Sequence, residues 1–199
     1  MRMIRWTAWI LVVLFVGATI ALYASDAFRT QVAEVSGSGR AAVGGEFTMV
    51  NDDGETVTQE AFLGRPTVYF FGFTHCPDVC PTALFELSNR MEELGADADR
   101  MNAVFVTVDP ERDTPEELHR YLQAFDPRIT GLSGSPEQVK DMMQKWRVYA
   151  AKVPTESGDY TMDHTATLYL MDANGEFVGT IAPGESDETA LGKLRRLVS

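Results

Sequence analysis

The sequence predicts an α/β domain built on a central, partly parallel sheet. Two runs, PTVYFFGF (66–73) and NAVFVTVD (102–109), are continuously apolar and rich in β-branched and aromatic residues, as strands buried on both faces must be. Segments of helical periodicity alternate with them. Strands that alternate with helices favour a parallel sheet covered by those helices. A late hairpin signal, Asn174-Gly175, adds antiparallel strands to it.

The elements follow in order. FTMV-NDDG-ETVT (47–58) reads as two short strands around an Asp53-Gly54 turn. After the first buried strand, a helix is expected from Pro81 to Leu94, with Leu84, Leu87, Met91 and Leu94 on one face and Gly95 as its stop. The second buried strand leads into DTPEELHRYLQAF, a helix capped by Asp113 or Thr114 with a proline in its first turn. ITGLSG (129–134) is a short strand, and SPEQVKDMMQKWRVYA a helix capped by Ser135. TATLYLMD-ANGE-FVGTI (165–181) is a hairpin. SDETALGKLRRLV closes the chain as a helix capped by Ser186 or Asp187.

Ahead of this domain, twenty uncharged residues lie between Arg5 and Asp26. A helix of that length spans about 30 Å, the hydrocarbon thickness of a bilayer. Trp6, Trp9 and Tyr23 stand near its ends, where interfacial aromatics belong. Arg2 and Arg5 precede it, so the folded part is expected on the extracytoplasmic (periplasmic) side. Residues 1–25 read as a membrane anchor, 26–45 as a flexible linker rich in glycine and small residues, and 46–199 as the folded domain. A cleaved signal peptide is the competing reading. The run is long for one, and no A-x-A site follows it. The net charge of −12 argues against nucleic acid, whose phosphates need a basic surface.

Chemistry concentrates in GFTHCPDVCPT (72–82), which holds the only two cysteines, Cys76 and Cys80. Pro77 is expected in the first turn of the following helix, which places the cysteines one turn apart on its electropositive end. That position lowers thiol pKa and favours thiolates. A disulfide, a redox pair and a soft metal site all fit. The C-x-x-x-C spacing departs from the C-x-x-C of redox motifs. A metal needs a third ligand, and the chain has three histidines. His75 adjoins Cys76 and would point away from it. His119 falls in mid-helix and reads as solvent-facing. His164 lies just before a strand, and in this kind of fold that segment can enter beside the end of the first long strand. A lone histidine there is also commonly structural. A Cys-Cys-His set suits copper, with zinc also allowed. Asp163 is a candidate to orient His164. Asp109, Glu111 and Asp113 read as a turn and a cap, Met142-Met143 as helix packing, and Trp146 and Tyr149 as core or core edge.

Three stretches, FFGFTHCPDVCPT, VTVDPERDTPEEL and DHTATLYLMD-ANG-FVG, together resemble the Sco/SenC family of copper-binding proteins. The resemblance runs from about Gly44 to the C-terminus, and an anchor before a linker agrees with it. It implies a thioredoxin-like fold and one copper, as Cu(I) or Cu(II), held by Cys76, Cys80 and His164. It implies a part in cytochrome c oxidase assembly, with subunit II or another copper-accepting exported protein as partner. Two classes of function follow: a copper chaperone, or a thiol–disulfide oxidoreductase working through Cys76 and Cys80. A peroxide-reducing enzyme of related fold is a third, and leaves His164 without a task.

Overall fold

The structure is a computed structural model that describes Val16, residues 43–156 and residues 158–199. The expected anchor and most of the expected linker therefore lie outside the described residues. Among the described residues, no helix is long and apolar enough to cross a membrane.

Nine strands and four α-helices follow Val43. The strands are β1 (Thr48–Asn51), β2 (Thr56–Thr58), β3 (Thr67–Gly72), β4 (Asn102–Thr107), β5 (Ile129–Ser133), β6 (Ala150–Pro154), β7 (Tyr160–His164), β8 (Leu168–Met171) and β9 (Phe177–Ile181). The helices are α1 (Val79–Leu94), α2 (Pro115–Leu122), α3 (Pro136–Lys145) and α4 (Asp187–Leu197). Seven strands form one sheet in the order β2-β1-β5-β4-β3-β8-β9, and β6 and β7 form a separate hairpin. The central β3, β4 and β5 are parallel, while β8 runs antiparallel to β3 and β1 antiparallel to β5. The α/β, thioredoxin-like architecture with an N-terminal β-hairpin is the expected one.

Burial explains the apolar runs. All six residues of β3 are buried, because helices and loops cover both faces of the sheet. Phe70 and Phe105, side by side in the parallel register, turn toward α1 and α2. Tyr69 and Phe71 turn the other way, onto Trp146 at the end of α3. Leu84, Leu87, Met91 and Leu94 are the buried face of α1, at the expected spacing. Each such side chain stabilises the fold by about 1.5–3 kcal/mol through burial.

The caps sort themselves by side-chain chemistry. Thr114, not Asp113, caps α2 by accepting from the Glu117 N–H. Ser135 and Gln138 form a reciprocal capping box on α3, and Ser186 caps α4. The start of α1 departs from expectation. The helix begins at Val79 after Asp78, so Pro77 and Cys76 stand in the turn before it. The β6–β7 hairpin was not read in the sequence. Its strands are short, none of their residues is buried, and no alternation marks them.

Candidate metal centre

The C-terminal end of β3 is where the site is built. Gly72 ends the strand, a tight turn follows, and Cys76 N–H closes it by donating to the Phe73 carbonyl at 3.2 Å. Cys80 sits in the first turn of α1, fully buried, while Cys76 is half-buried. Gly72 makes room for this approach. A Cβ there would lie 2.8 Å from Cys80 Sγ and 2.7 Å from Phe105 Cε2.

His164 arrives from the far end of the chain. Leu168 opposes Phe70 in the antiparallel register, so the start of β8 lies beside the last residues of β3. His164 ends β7 just before it and is thereby placed over the cysteines. Its Nε2 is 3.4 Å from Cys80 Sγ. Its Nδ1 is 3.0 Å from the Thr165 carbonyl oxygen, which can only accept. Nδ1 therefore donates to that carbonyl, and Nε2 is the ring nitrogen that faces the sulfurs. Phe73 and Phe70 meet the imidazole in edge contacts, with ring centres 5.6 and 6.4 Å away. Asp163, the expected orienting partner, is exposed, and the ring is held by the Thr165 carbonyl instead.

Cys76 Sγ, Cys80 Sγ and a His164 ring nitrogen all lie within 4.8 Å of one another. Among the described residues, this is the group of three or more such side chains close enough to share an ion. Three donors at about 2.0–2.3 Å from a common centre would stand nearly 4 Å apart, so small movements of the side chains complete the set. Two sulfurs and one imidazole are soft donors that suit copper.

The two thiols are unequal. The Cys76 thiol is lowered to about 3, first by a hydrogen bond from the Cys80 thiol, with His164 and the N–H groups of Asp78 and Cys80 adding against the opposing effect of burial. The Cys80 N–H, an otherwise unpaired donor of the helix start, points at Cys76 Sγ at 3.4 Å. Cys80 is pushed up by its hydrogen bond to Cys76 and by burial. The copper-free site thus favours the thiolate at Cys76 and the thiol at Cys80.

A buried carboxylate braces the loop. Asp113 accepts from Thr74 N–H at 3.0 Å, from Thr74 Oγ1 at 2.6 Å and from Thr107 Oγ1 at 2.6 Å. Burial raises its pKa. The expected turn-and-cap role of Asp109 and Asp113 is thus incomplete, since both are almost wholly buried and hold other segments in place. The clue was available: a strand-end threonine followed by two aspartates in TVDPERD. Spacing alone could not say what they bond.

His75 is 53% exposed on its side chain and contacts Thr74 Oγ1 at 3.0 Å, away from the sulfurs. His119 is 50% exposed, on the opposite part of the chain near Asp52. Both fall outside the site, as expected. Met142 and Trp146 are core residues, and Tyr149 is exposed.

The family model SCO1/SenC matches residues 35–199. The chain belongs to the SCO1/SenC family. It resembles the structure of Bradyrhizobium japonicum ScoI with copper bound, at 51% identity and a TM-score of 0.74, covering 78% of this chain and 99% of that one. For yeast Sco1 with copper bound, the identity is 34% and the TM-score 0.73, covering 79% and 89% of the two chains. Protein SCO1 homolog 1, mitochondrial, of Arabidopsis thaliana is 41% identical over 148 residues, which are 74% of this chain and 44% of that protein. Protein sco1 of Schizosaccharomyces pombe is 37% identical over 154 residues, 75% of this chain and 59% of that protein. The chain spans about half the length of these two curated relatives.

Proposed function

We propose that this protein binds one copper through Cys76, Cys80 and His164 and hands it to a copper-accepting partner during assembly of cytochrome c oxidase. The observation that carries the reading is the convergence of two sulfurs and an imidazole, from segments more than eighty residues apart, on one point. Family membership and the copper-bound relatives support it. The dinuclear CuA site of oxidase subunit II is the destination we favour, with the domain held on the extracytoplasmic side by residues 1–25. Copper is cargo here. Cys76, half-buried and with its pKa lowered toward the thiolate, is the donor an incoming partner reaches. Cys80 stays beneath it and gives up its proton when metal enters.

A second reading rests on the same thiolate. Cys76 could attack a partner's disulfide, with Cys80 resolving the mixed disulfide and the partner leaving as a dithiol. The cysteines would be oxidised in that exchange and would need an external reductant to act again.

His164 separates the two. A titration of the reduced chain against a competing Cu(I) chelator is expected to give one copper per chain. In His164→Ala, affinity is expected to fall at least about 100-fold, since loss of a ligand exceeds loss of its supporting contacts. Both thiols should remain free and able to reduce a disulfide. Wild-type affinity in His164→Ala would overturn the three-ligand site.

A further inference from the structure

The β6–β7 hairpin that carries His164 shares no ladder with the main sheet. The pairing of β8 with β3 fixes where His164 leaves the hairpin, and contacts from the hairpin itself add to it. Several contacts from this hairpin to the rest of the domain meet at the turn after β4. Arg112 Nη1 donates to the Tyr160 carbonyl at 2.9 Å, and the guanidinium lies 3.8 Å over the Tyr160 ring. Tyr160 Oη donates to Asp109 Oδ1 at 2.9 Å, and Arg112 Nε donates to Asp109 Oδ2. Lys152 pairs with Glu111 at 2.6 Å and lies 4.4 Å over the same Tyr160 ring.

The other side of the guanidinium faces the cysteine loop. It stands 5.9 Å from the centre of the Phe73 ring, and Phe73 meets His164 edge-on. Arg112 thus touches both halves of the site: the loop of Cys76 through Phe73, and the strand of His164 through Tyr160. Asp109 is almost wholly buried, so its carboxylate is a fixed point against which the fork of Arg112 is aimed.

We propose that Arg112 and Tyr160, anchored by Asp109, are positioning residues that hold His164 at the cysteine pair. The inference rests on the copper reading for its effect on affinity, but the clamp itself is a property of the copper-free protein. A supporting contact of a metal ligand typically alters affinity by about 10–100-fold. The fork and the ring stacking are particular to arginine, so lysine should not replace it.

The test uses the full chain and the variants Arg112→Met, Arg112→Lys, Tyr160→Phe and His164→Ala. Two quantities are read: hydrogen exchange of the amides of 160–164 without metal, and Cu(I) affinity against a chelator. Arg112→Met is expected to speed the exchange at least about tenfold and to weaken copper about 10–100-fold. Arg112→Lys should behave like Arg112→Met, and Tyr160→Phe, which loses only the bond to Asp109, should show smaller changes in both. Should Arg112→Met fail to fold, Tyr160→Phe decides alone. Wild-type exchange and wild-type affinity in the variants would overturn the clamp, as would a fall in melting temperature with both readouts unmoved. If His164→Ala binds copper like the wild type, the copper reading fails, and the exchange data decide the clamp independently.

Discussion

Replacing Gly72 by alanine places one methyl group at the most crowded point of the site. The new Cβ would lie 2.7 Å from Phe105 Cε2 and 2.8 Å from Cys80 Sγ. Ordinary contacts of this kind are about 3.5–4.0 Å, so each is short by roughly an ångström. Both neighbours are wholly buried. Overpacking of this kind costs about 1–3 kcal/mol. At about 2–4 °C per kcal/mol for a chain of this size, the melting temperature should fall by about 2–12 °C. The second effect falls on the metal. Relieving the clash moves Cys80 Sγ by most of an ångström, against a tolerance of about 0.2 Å in a metal–ligand distance. Copper affinity should therefore drop at least about tenfold, a conservative figure beside the effect of disturbing a ligand's support. Thermal unfolding of the copper-free protein and a chelator competition measure the two separately. In the Cys80→Ala background the stability loss should shrink, leaving the Phe105 contact. Gly72→Ala with wild-type stability and wild-type affinity would refute the reasoning that glycine is there to admit the sulfur.

Two further outcomes follow from the ionisation of the site. At about pH 5, a thiolate held down to about 3 is fully formed, while a thiol of ordinary value 9.0 is ionised to only about one part in ten thousand. Lower basicity reduces the attack rate by about 2.4–3 powers of ten, so the thiolate fraction wins and Cys76 should react about 10–40-fold faster than an ordinary thiol. Alkylation of the reduced, copper-free protein followed by peptide mass mapping should mark Cys76 first, and earlier labelling of Cys80 would reject the assignment. Asp113 has a folded-state pKa raised above the ordinary 3.8 by burial, so the folded protein holds that proton more tightly than the unfolded chain. Its contribution is therefore fully present below that ordinary value and declines as pH rises through the raised one. The stability of the wild type relative to Asp113→Asn, followed by urea unfolding from about pH 3 to about pH 7, should fall with rising pH. A flat difference would mean the carboxyl is not perturbed.

Much of this protein was legible in the chain. Continuous apolar runs marked β3 and β4, because strands covered on both faces have no polar side to show. Helical spacing picked the buried face of α1, and serine, threonine and glycine marked the caps and turns. These signals are local, set by backbone geometry and side-chain chemistry within a few residues. The cysteine pair was also local, and the three stretches that resemble the Sco/SenC family carried His164 to the site.

Tertiary structure decided the rest. His164 reaches Cys80 only because β8 returns antiparallel beside β3, a pairing between residues nearly a hundred positions apart. Asp113 looks like a helix cap in sequence, since an aspartate before Thr-Pro is a good one. In the fold, Thr114 takes that task and frees Asp113 to brace Thr74. Tyr160 lies in a stretch with no buried periodicity, and Arg112 and Asp109, from a distant turn, give it a place. Sequence alone determined the strands of the main sheet, the helices that cover it and which atoms are soft enough to bind a metal. Where those atoms meet depends on long-range pairing and on what is buried against what, and no window of neighbouring residues contains that information.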